Sequence, residues 1–106
     1  MIRKATYHDA PFIKLLMEDL GNKTTVSLLI TQLNALFNQK DHEVWVYEDK
    51  GMVTGFAIFH VLPKLGSENA LLLITGLVAS EQAGKNALER YLVDLSRKGN
   101  YEHIRI

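Results

Sequence analysis

Apolar side chains recur at the helical spacing of about 3.6 residues in three stretches of this chain. The first stretch follows Thr6 and Asp9, which are spaced like a capping box, and stops at Gly21. The second begins near residues 24–25, and the third follows Ser80, which we expect to cap it. The apolar stripes of the three predicted helices are, in order, Phe12, Ile13, Leu16, Met17 and Leu20; Val26, Leu29, Ile30, Leu33, Leu36 and Phe37; and Leu88, Tyr91, Leu92 and Leu95.

The remaining apolar segments have the composition of β-strands, with turn-forming residues between them. Gly55 lies inside one of these segments and indicates a bulge or a close backbone approach. The segment 70–78 is almost continuously apolar, as expected of a central strand buried on both faces. The predicted strands are 2–5, 43–48, 52–62, 70–78 and 101–106, which gives the order βααβββαβ.

The last three predicted elements form a β-α-β unit, which we expect to be a right-handed crossover between parallel strands. The start of its helix then lies beside the end of strand 70–78. Helix-terminal N–H groups at such a place favour anions. A phosphate-bearing ligand is therefore expected near residues 77–86.

Composition limits the classes of function. The 106 residues suit one domain, 1–106, and 12 basic residues balance 12 acidic ones. With no clustered basic face we expect no nucleic-acid partner, and no apolar run is long enough for a membrane span. The chain has no cysteine and no signal-peptide pattern at its start, so a cytoplasmic protein is the expectation.

Several segments, in their order and spacing, resemble the GNAT (N-acetyltransferase) superfamily over essentially the whole chain. The opening of the chain, with Asp9 after its first strand, is similar to the family's opening. Residues 44–48 and 51–56, a predicted hairpin with Gly51 in its turn, resemble the family's second and third strands. Residues 74–78 resemble the strand that leads to the family's cofactor loop. The segments are Ile2-Arg3-Lys4-Ala5-Thr6, Leu16-Met17-Glu18-Asp19-Leu20-Gly21, Val44-Trp45-Val46-Tyr47-Glu48, Gly51-Met52-Val53-Thr54-Gly55-Phe56 and Ile74-Thr75-Gly76-Leu77-Val78.

The resemblance implies an α/β (α+β) fold with a mixed sheet flanked by helices, and acetyl-CoA as the acyl donor. It implies main-chain contacts to acetyl-pantetheine from the end of the fourth strand, and phosphate contacts from the start of the next helix. The loop between them is shorter than the family's, contains no arginine and carries Glu81. The cofactor-binding residues so implied are Leu77, Val78, Ala79, Gln82, Gly84, Lys85 and Asn86.

The catalytic candidates are His60, which ends a strand and could face the substrate cleft, and Glu68, with Glu18 as a further carboxylate. Gly76 stands where many family members carry a catalytic glutamate. The four histidines show no metal-ligand spacing, so no metal site is expected. The chain stops at Ile106, inside the fifth strand, so we expect the family's last helix, last two strands and general-acid tyrosine to be missing.

Three functional hypotheses remain open at this stage. The first is an acetyl-CoA-dependent N-acetyltransferase. The second is a non-catalytic interaction module that binds another protein or forms a homodimer, the homodimer being expected through the edge of strand 101–106. The third is a split enzyme in which a complementing chain supplies the missing helix and strands.

Overall fold

The computed structural model describes residues 1–39, 42–63, 65–66, 68–99 and 101–105, with 102–105 described as backbone only. Its elements follow the order βααβββαβ, with a short 3-10 helix after the first strand, and this confirms the predicted order. The elements are β1 (Ile2–Lys4), the 3-10 helix (Tyr7–Asp9), α1 (Ala10–Asp19), α2 (Val26–Phe37), β2 (His42–Asp49), β3 (Met52–Leu62), β4 (Leu71–Ala79), α3 (Gln82–Lys98) and β5 (Glu102–Arg105).

The strands form one mixed sheet in the order β1-β2-β3-β4-β5. The first three pairings are antiparallel, and β4 pairs with β5 in parallel through the α3 crossover, as expected. Helices α1 and α2 cover one face, where Ile13 and Leu33 pack with Val46. Helix α3 covers the other face, where Leu88 packs with Phe59. The mixed sheet between two helical layers is the predicted α/β class.

A two-residue turn joins β2 to β3 and sets the register of the hairpin. Asp49 pairs with Met52, and Lys50 and Gly51 between them have φ values of 53° and 80°. Positive φ at both central residues is the type I′ turn, whose twist matches that of the flanking strands. The predicted bulge is confirmed one residue before Gly55, since Thr54 is the extra residue between the paired positions on β3.

Burial varies along β4. Leu72 and Ile74 are 0% and 6% exposed, whereas Leu71, Leu73 and residues 76–79 are half-buried and Thr75 is exposed. The prediction that the whole strand is buried on both faces is therefore wrong for all but Leu72 and Ile74. In the second half, residues 75–79 also have no described strand on the side away from β3, because β5 pairs only with Leu71–Ile74.

A charged cluster ties β1 to the start of α1 and to β2. Arg3 donates from both terminal nitrogens to the Asp9 carboxylate at 2.9 and 2.8 Å, and from Nε to Glu48 at 3.2 Å. Asp9 also accepts the N–H of Thr6 at 2.7 Å, as the capping-box spacing predicts. Asp9 is 2% exposed, so this charge is buried against its partners.

Among the helices that the structure describes, none combines the length and the apolar character that crossing a membrane would require.

Candidate functional site

The sheet opens on the outer side of β4, beyond the last residue that pairs with β5. Residues 75–79 have a strand neighbour on their β3 side, and in the described part of the chain no strand pairs with their other side. The opening begins at a bulge, because Gly76 pairs with Ile58 while Ile74 pairs with Phe59. The extra residue of this bulge is Thr75. A bulge of this kind interrupts the ladder and bends the strand.

The register of the ladder decides which N–H groups line this open edge. Ser80 donates its N–H to the carbonyl oxygen of Thr54 at 2.9 Å. N–H directions alternate along an antiparallel strand, so Val78 donates towards β3 while Leu77 and Ala79 point to the open side. Of these three sequence-derived candidates, two therefore present main-chain donors to a ligand lying along the edge, and Val78 does not.

The start of α3 differs from the expectation that Ser80 caps it. The residue at the N-cap is Glu81, whose side chain makes no capping hydrogen bond. The Ser80 hydroxyl instead donates to the carbonyl oxygen of Thr54 at 3.3 Å. The backbone N–H of Ser80 already holds it against β3, which places its side chain on the sheet rather than over the helix terminus. The connection between β4 and α3 is thus only residues 80–81.

The first turn of α3 lies directly beyond the open edge. Lys85 donates its N–H to the Glu81 carbonyl, so the N–H groups of residues 82–84 precede the helical ladder and have no acceptor within the helix. The side chains of Gln82, Lys85 and Asn86 are exposed here, and Gln82 donates to Asn86 Oδ1 at 2.9 Å. Three of the four helix candidates for phosphate binding therefore face solvent at one helix end.

Gly84, the fourth helix candidate, faces the sheet. A Cβ added to it would lie 3.0 Å from Cδ1 of the Tyr47 ring. Glycine allows α3 to approach β2 closely here, since a larger residue would require the Tyr47 ring to shift. Its side-chain position therefore serves packing, and only its N–H is available to a ligand.

His60 lies in a cluster that spans three strands. Its Nδ1 contacts Nδ1 of His42, the residue opposite it on β2, and its Nε2 lies 2.8 Å from Thr75 Oγ1 on β4. The two imidazole rings meet edge to face, with centroids 4.3 Å apart. His42 and Thr75 were missed by sequence reasoning, although hairpin counting with a bulge at Thr54 pairs His42 with His60.

The surroundings of His60 favour its neutral form. Burial, and then the nearby charge of His42, lower the pKa of His60 below its ordinary value of 6.5. At neutral pH the neutral ring therefore predominates, and one of its two nitrogens is able to accept a proton. The described side chains contain no group of three or more His, Cys, Asp or Glu that could hold a metal ion.

The other carboxylate candidates lie apart from this cluster. Glu68 is exposed in the β3–β4 connection, and Glu18 is exposed near the end of α1, where it pairs with Lys14 at 2.9 Å. A cleft of about 400 Å³ instead adjoins the cluster at His42. Its lining residues come from the ends of β1 and α2 and the start of β2, and are Lys4, Ala5, Phe37, Gln39, His42, Glu43 and Val44.

Comparison with known proteins gives the fold family. No protein-family model and no curated protein matches the chain. A GNAT family acetyltransferase from Staphylococcus aureus superposes with a TM-score of 0.85 at 16% identity, covering 99% of this chain and 83% of the other. A ribosomal-protein-alanine N-acetyltransferase from Brucella melitensis gives 0.75 at 15% identity, covering 99% and 77%.

A transcriptional regulator from Bacillus halodurans is also similar, with a TM-score of 0.84 at 16% identity over 99% of this chain and 79% of the other. Identities this low show a shared fold, while activity is a property of the site. The chain therefore has the GNAT fold.

Proposed function

We propose that this chain, which has the GNAT fold, transfers an acetyl group from acetyl-CoA to an amine. The observation that carries this proposal is the open edge of β4, which leads from the first turn of α3 to the His60–Thr75 contact. An extended donor lying along the edge would bring its thioester to the cluster of His42, His60 and Thr75 at the inner end. The resemblance in fold supports the same orientation.

The residues along the edge fit an acyl-pantetheine chain. Its amide oxygens can accept from the N–H groups of Leu77 and Ala79, which face the open side. The start of α3 fits the pyrophosphate only in part. The free N–H groups of the first turn and the cation of Lys85 attract phosphate, whereas the Glu81 carboxylate repels it.

At the inner end of the edge, His60 is the proposed general base. Its neutral ring takes the proton of the acceptor's ammonium group, directly or through the Thr75 hydroxyl. The cleft beside His42 is the proposed acceptor site, because it adjoins the cluster. Lys4 and Glu43 both line it and already form an ion pair at 3.7 Å, so a cationic amine would compete with Lys4 for the Glu43 carboxylate.

The proposal is tested by thermal unfolding with acetyl-CoA, with free CoA for comparison. A ligand at ~100 times its dissociation constant stabilises the fold by about 2.7 kcal/mol, which raises the Tm by roughly 10–20 °C in a domain of this size. Lys85→Gln should weaken acetyl-CoA binding in calorimetry. Lys98→Gln, at the opposite end of the same helix, should leave it unchanged. No saturable Tm shift with acetyl-CoA would overturn the proposal.

A second candidate function is pairing through β5. This strand is outermost in the described sheet, and its side away from β4 pairs with no strand that the structure describes. A second copy of the chain, or a chain that supplies further strands, could extend the sheet there. Light scattering at tens of micromolar distinguishes these cases, since a monomer with no co-purifying chain would contradict both.

A further inference from the structure

The two ring nitrogens of His60 are both engaged within the cluster. Nδ1 meets His42 on one side, and Nε2 lies 2.8 Å from Thr75 Oγ1 on the other. A proton from a substrate therefore reaches Nε2 only through Thr75 or by displacing it. Thr75 is exposed whereas His42 and His60 are half-buried, so its hydroxyl is the most accessible group of this cluster.

Two arrangements of protons satisfy these contacts. In one, Nε2 carries the proton of His60 and donates it to Thr75. In the other, Nδ1 carries the proton and donates it to His42, so that Nε2 accepts the hydroxyl proton of Thr75. In the second arrangement the Thr75 hydroxyl donates to His60, and His60 donates to His42. A hydroxyl, a base and a third group that orients the base form the arrangement that activates a nucleophile.

We propose that Thr75 is a nucleophile, with His60 as its base and His42 as the positioning residue, that accepts the acyl group of a thioester as a threonyl ester. The proposal rests on the proposed function, which places the donor along the open edge of β4.

The location of Thr75 suits attack on a ligand. It is exposed, it is the extra residue of the β4 bulge, and it stands where the open edge begins. Thr54, the extra residue of the other bulge, has the opposite surroundings. Its hydroxyl is buried, and no group in the described part of the chain hydrogen-bonds to it, so it lacks both access to a ligand and a base there.

The chemistry balances in two steps. In the first, Thr75 Oγ bonds to the acyl carbon and the C–S bond breaks. The hydroxyl proton passes to His60 Nε2 and then to the departing sulfur, which leaves as the free thiol. In the second, the nitrogen of an amine, or the oxygen of water when no amine is bound, attacks the acyl carbon and the C–Oγ bond breaks. His60 then carries the proton of that nucleophile back to Thr75 Oγ.

The nucleophile can be tested without CoA, using p-nitrophenyl acetate as an activated acyl donor. We expect a burst of p-nitrophenolate and an acetyl group on Thr75, located by peptide mass spectrometry and removed by hydroxylamine as an ester is. Thr75→Val should abolish this ester, and Thr75→Ser should retain it. Thr31→Val is the matched control, since Thr31 is an exposed threonine on α2, and should leave the burst unchanged.

The roles of the two histidines are separable. His60→Gln should slow formation of the ester about 100-fold, as removal of a general base does. His42→Gln should lower kcat for p-nitrophenyl acetate with KM unchanged, since it alters the orientation of the base rather than binding.

Acetyl-CoA then separates this proposal from the proposed function. If it binds and also acetylates Thr75, both are supported. If it binds and amines are acetylated, but Thr75 carries no ester with either donor and Thr75→Val is as active as the unaltered chain, the nucleophile is overturned and the proposed function survives. If p-nitrophenyl acetate acylates Thr75 and acetyl-CoA does not bind, the nucleophile is supported and the proposed function fails.

Discussion

Two polar clusters join distant parts of this chain, and they are built in different ways. The first joins Arg3 to the carboxylates of Asp9 and Glu48. The buried Asp9 carboxylate accepts hydrogen bonds from the Arg3 guanidinium and from the N–H of Thr6. The second joins His60 to His42 and Thr75, and involves three groups that are neutral when His60 and His42 are unprotonated. It ends on a hydroxyl that faces solvent.

The difference indicates two roles. In the charged cluster the attraction of Arg3 for Asp9 is already satisfied within the protein, so it stabilises the junction of β1 and α1 and offers nothing to a ligand. In the histidine cluster, protons can move between neighbouring groups without separating charge widely. Its last member is accessible. The first arrangement suits stability, and the second suits chemistry.

The largest expected effect tests the chemical role. His60→Gln should lower acetyl transfer about 100-fold or more, because the base is lost, while the free energy of unfolding changes little. Transfer is measured by release of the free thiol, and unfolding by urea denaturation. His8→Gln, an exposed histidine in the 3-10 helix, is the control and should keep full activity. Equal activity of the two variants would remove His60 from the site.

The next effect tests the structural role. Asp9→Ala should lower the free energy of unfolding by about 3 kcal/mol, because Arg3 and the Thr6 N–H lose a buried partner. Urea denaturation at neutral pH measures this, and Asp19→Ala, an exposed change at the end of α1, should cost less than about 0.5 kcal/mol. A similar small cost for both would contradict the structural role of the cluster.

Acid should reduce the stabilisation that the Asp9 carboxylate provides. Burial by itself raises the pKa of Asp9, but the hydrogen bonds from Arg3 and Thr6 outweigh it and lower the pKa below 3.8. The stabilisation is therefore fully present above 3.8 and is lost as the pH falls through the lowered value. The difference in the free energy of unfolding between Asp9→Ala and the unaltered chain should therefore decrease as the pH falls through that lowered value.

A smaller effect concerns the pH dependence of activity. Because burial and His42 lower the pKa of His60 below 6.5, the pH at which the rate falls to half its maximum should lie below 6.5. The decline should approach about tenfold per pH unit, since only the neutral ring accepts a proton. A rate profile measured with saturating donor checks this. A half-maximal rate at a pH well above 6.5 would contradict the assignment of His60.

The smallest effect lies at the exposed side of the charged cluster. The Arg3–Glu48 pair is 3.2 Å long and both side chains are partly exposed, at 30% and 24%. Glu48→Gln should therefore cost only about 0.5 kcal/mol, and the cost should decrease further at high salt. Urea denaturation at two salt concentrations measures it. A decrease in the free energy of unfolding as large as that of Asp9→Ala would show that Glu48 contributes as much to the charged cluster as Asp9 does.

The sequence predicted most of the fold from local signals. The capping-box spacing of Thr6 and Asp9 gave the start of the 3-10 helix that leads into α1, and the turn-forming residues between the second and third strands gave the hairpin. The prediction about Ser80 was wrong because its hydroxyl had two possible partners, the N–H donors of the helix terminus and the Thr54 carbonyl acceptor, and only the packing of β4 on β3 selects between them. Such competition between local and distant partners does not appear in a pattern of residue types.

The sequence by itself determined which segments are helices and strands, the mixed sheet, and His60 as a candidate, because these depend on periodicity and on chemistry that travels with each residue. Only the tertiary structure decided what surrounds His60. The bulge at Thr54 aligns His42 with it, and the bulge at Thr75 turns a hydroxyl towards its other nitrogen. A one-residue shift in register changes every neighbour across a sheet, so these contacts follow from strand pairing and not from the order of residues alone.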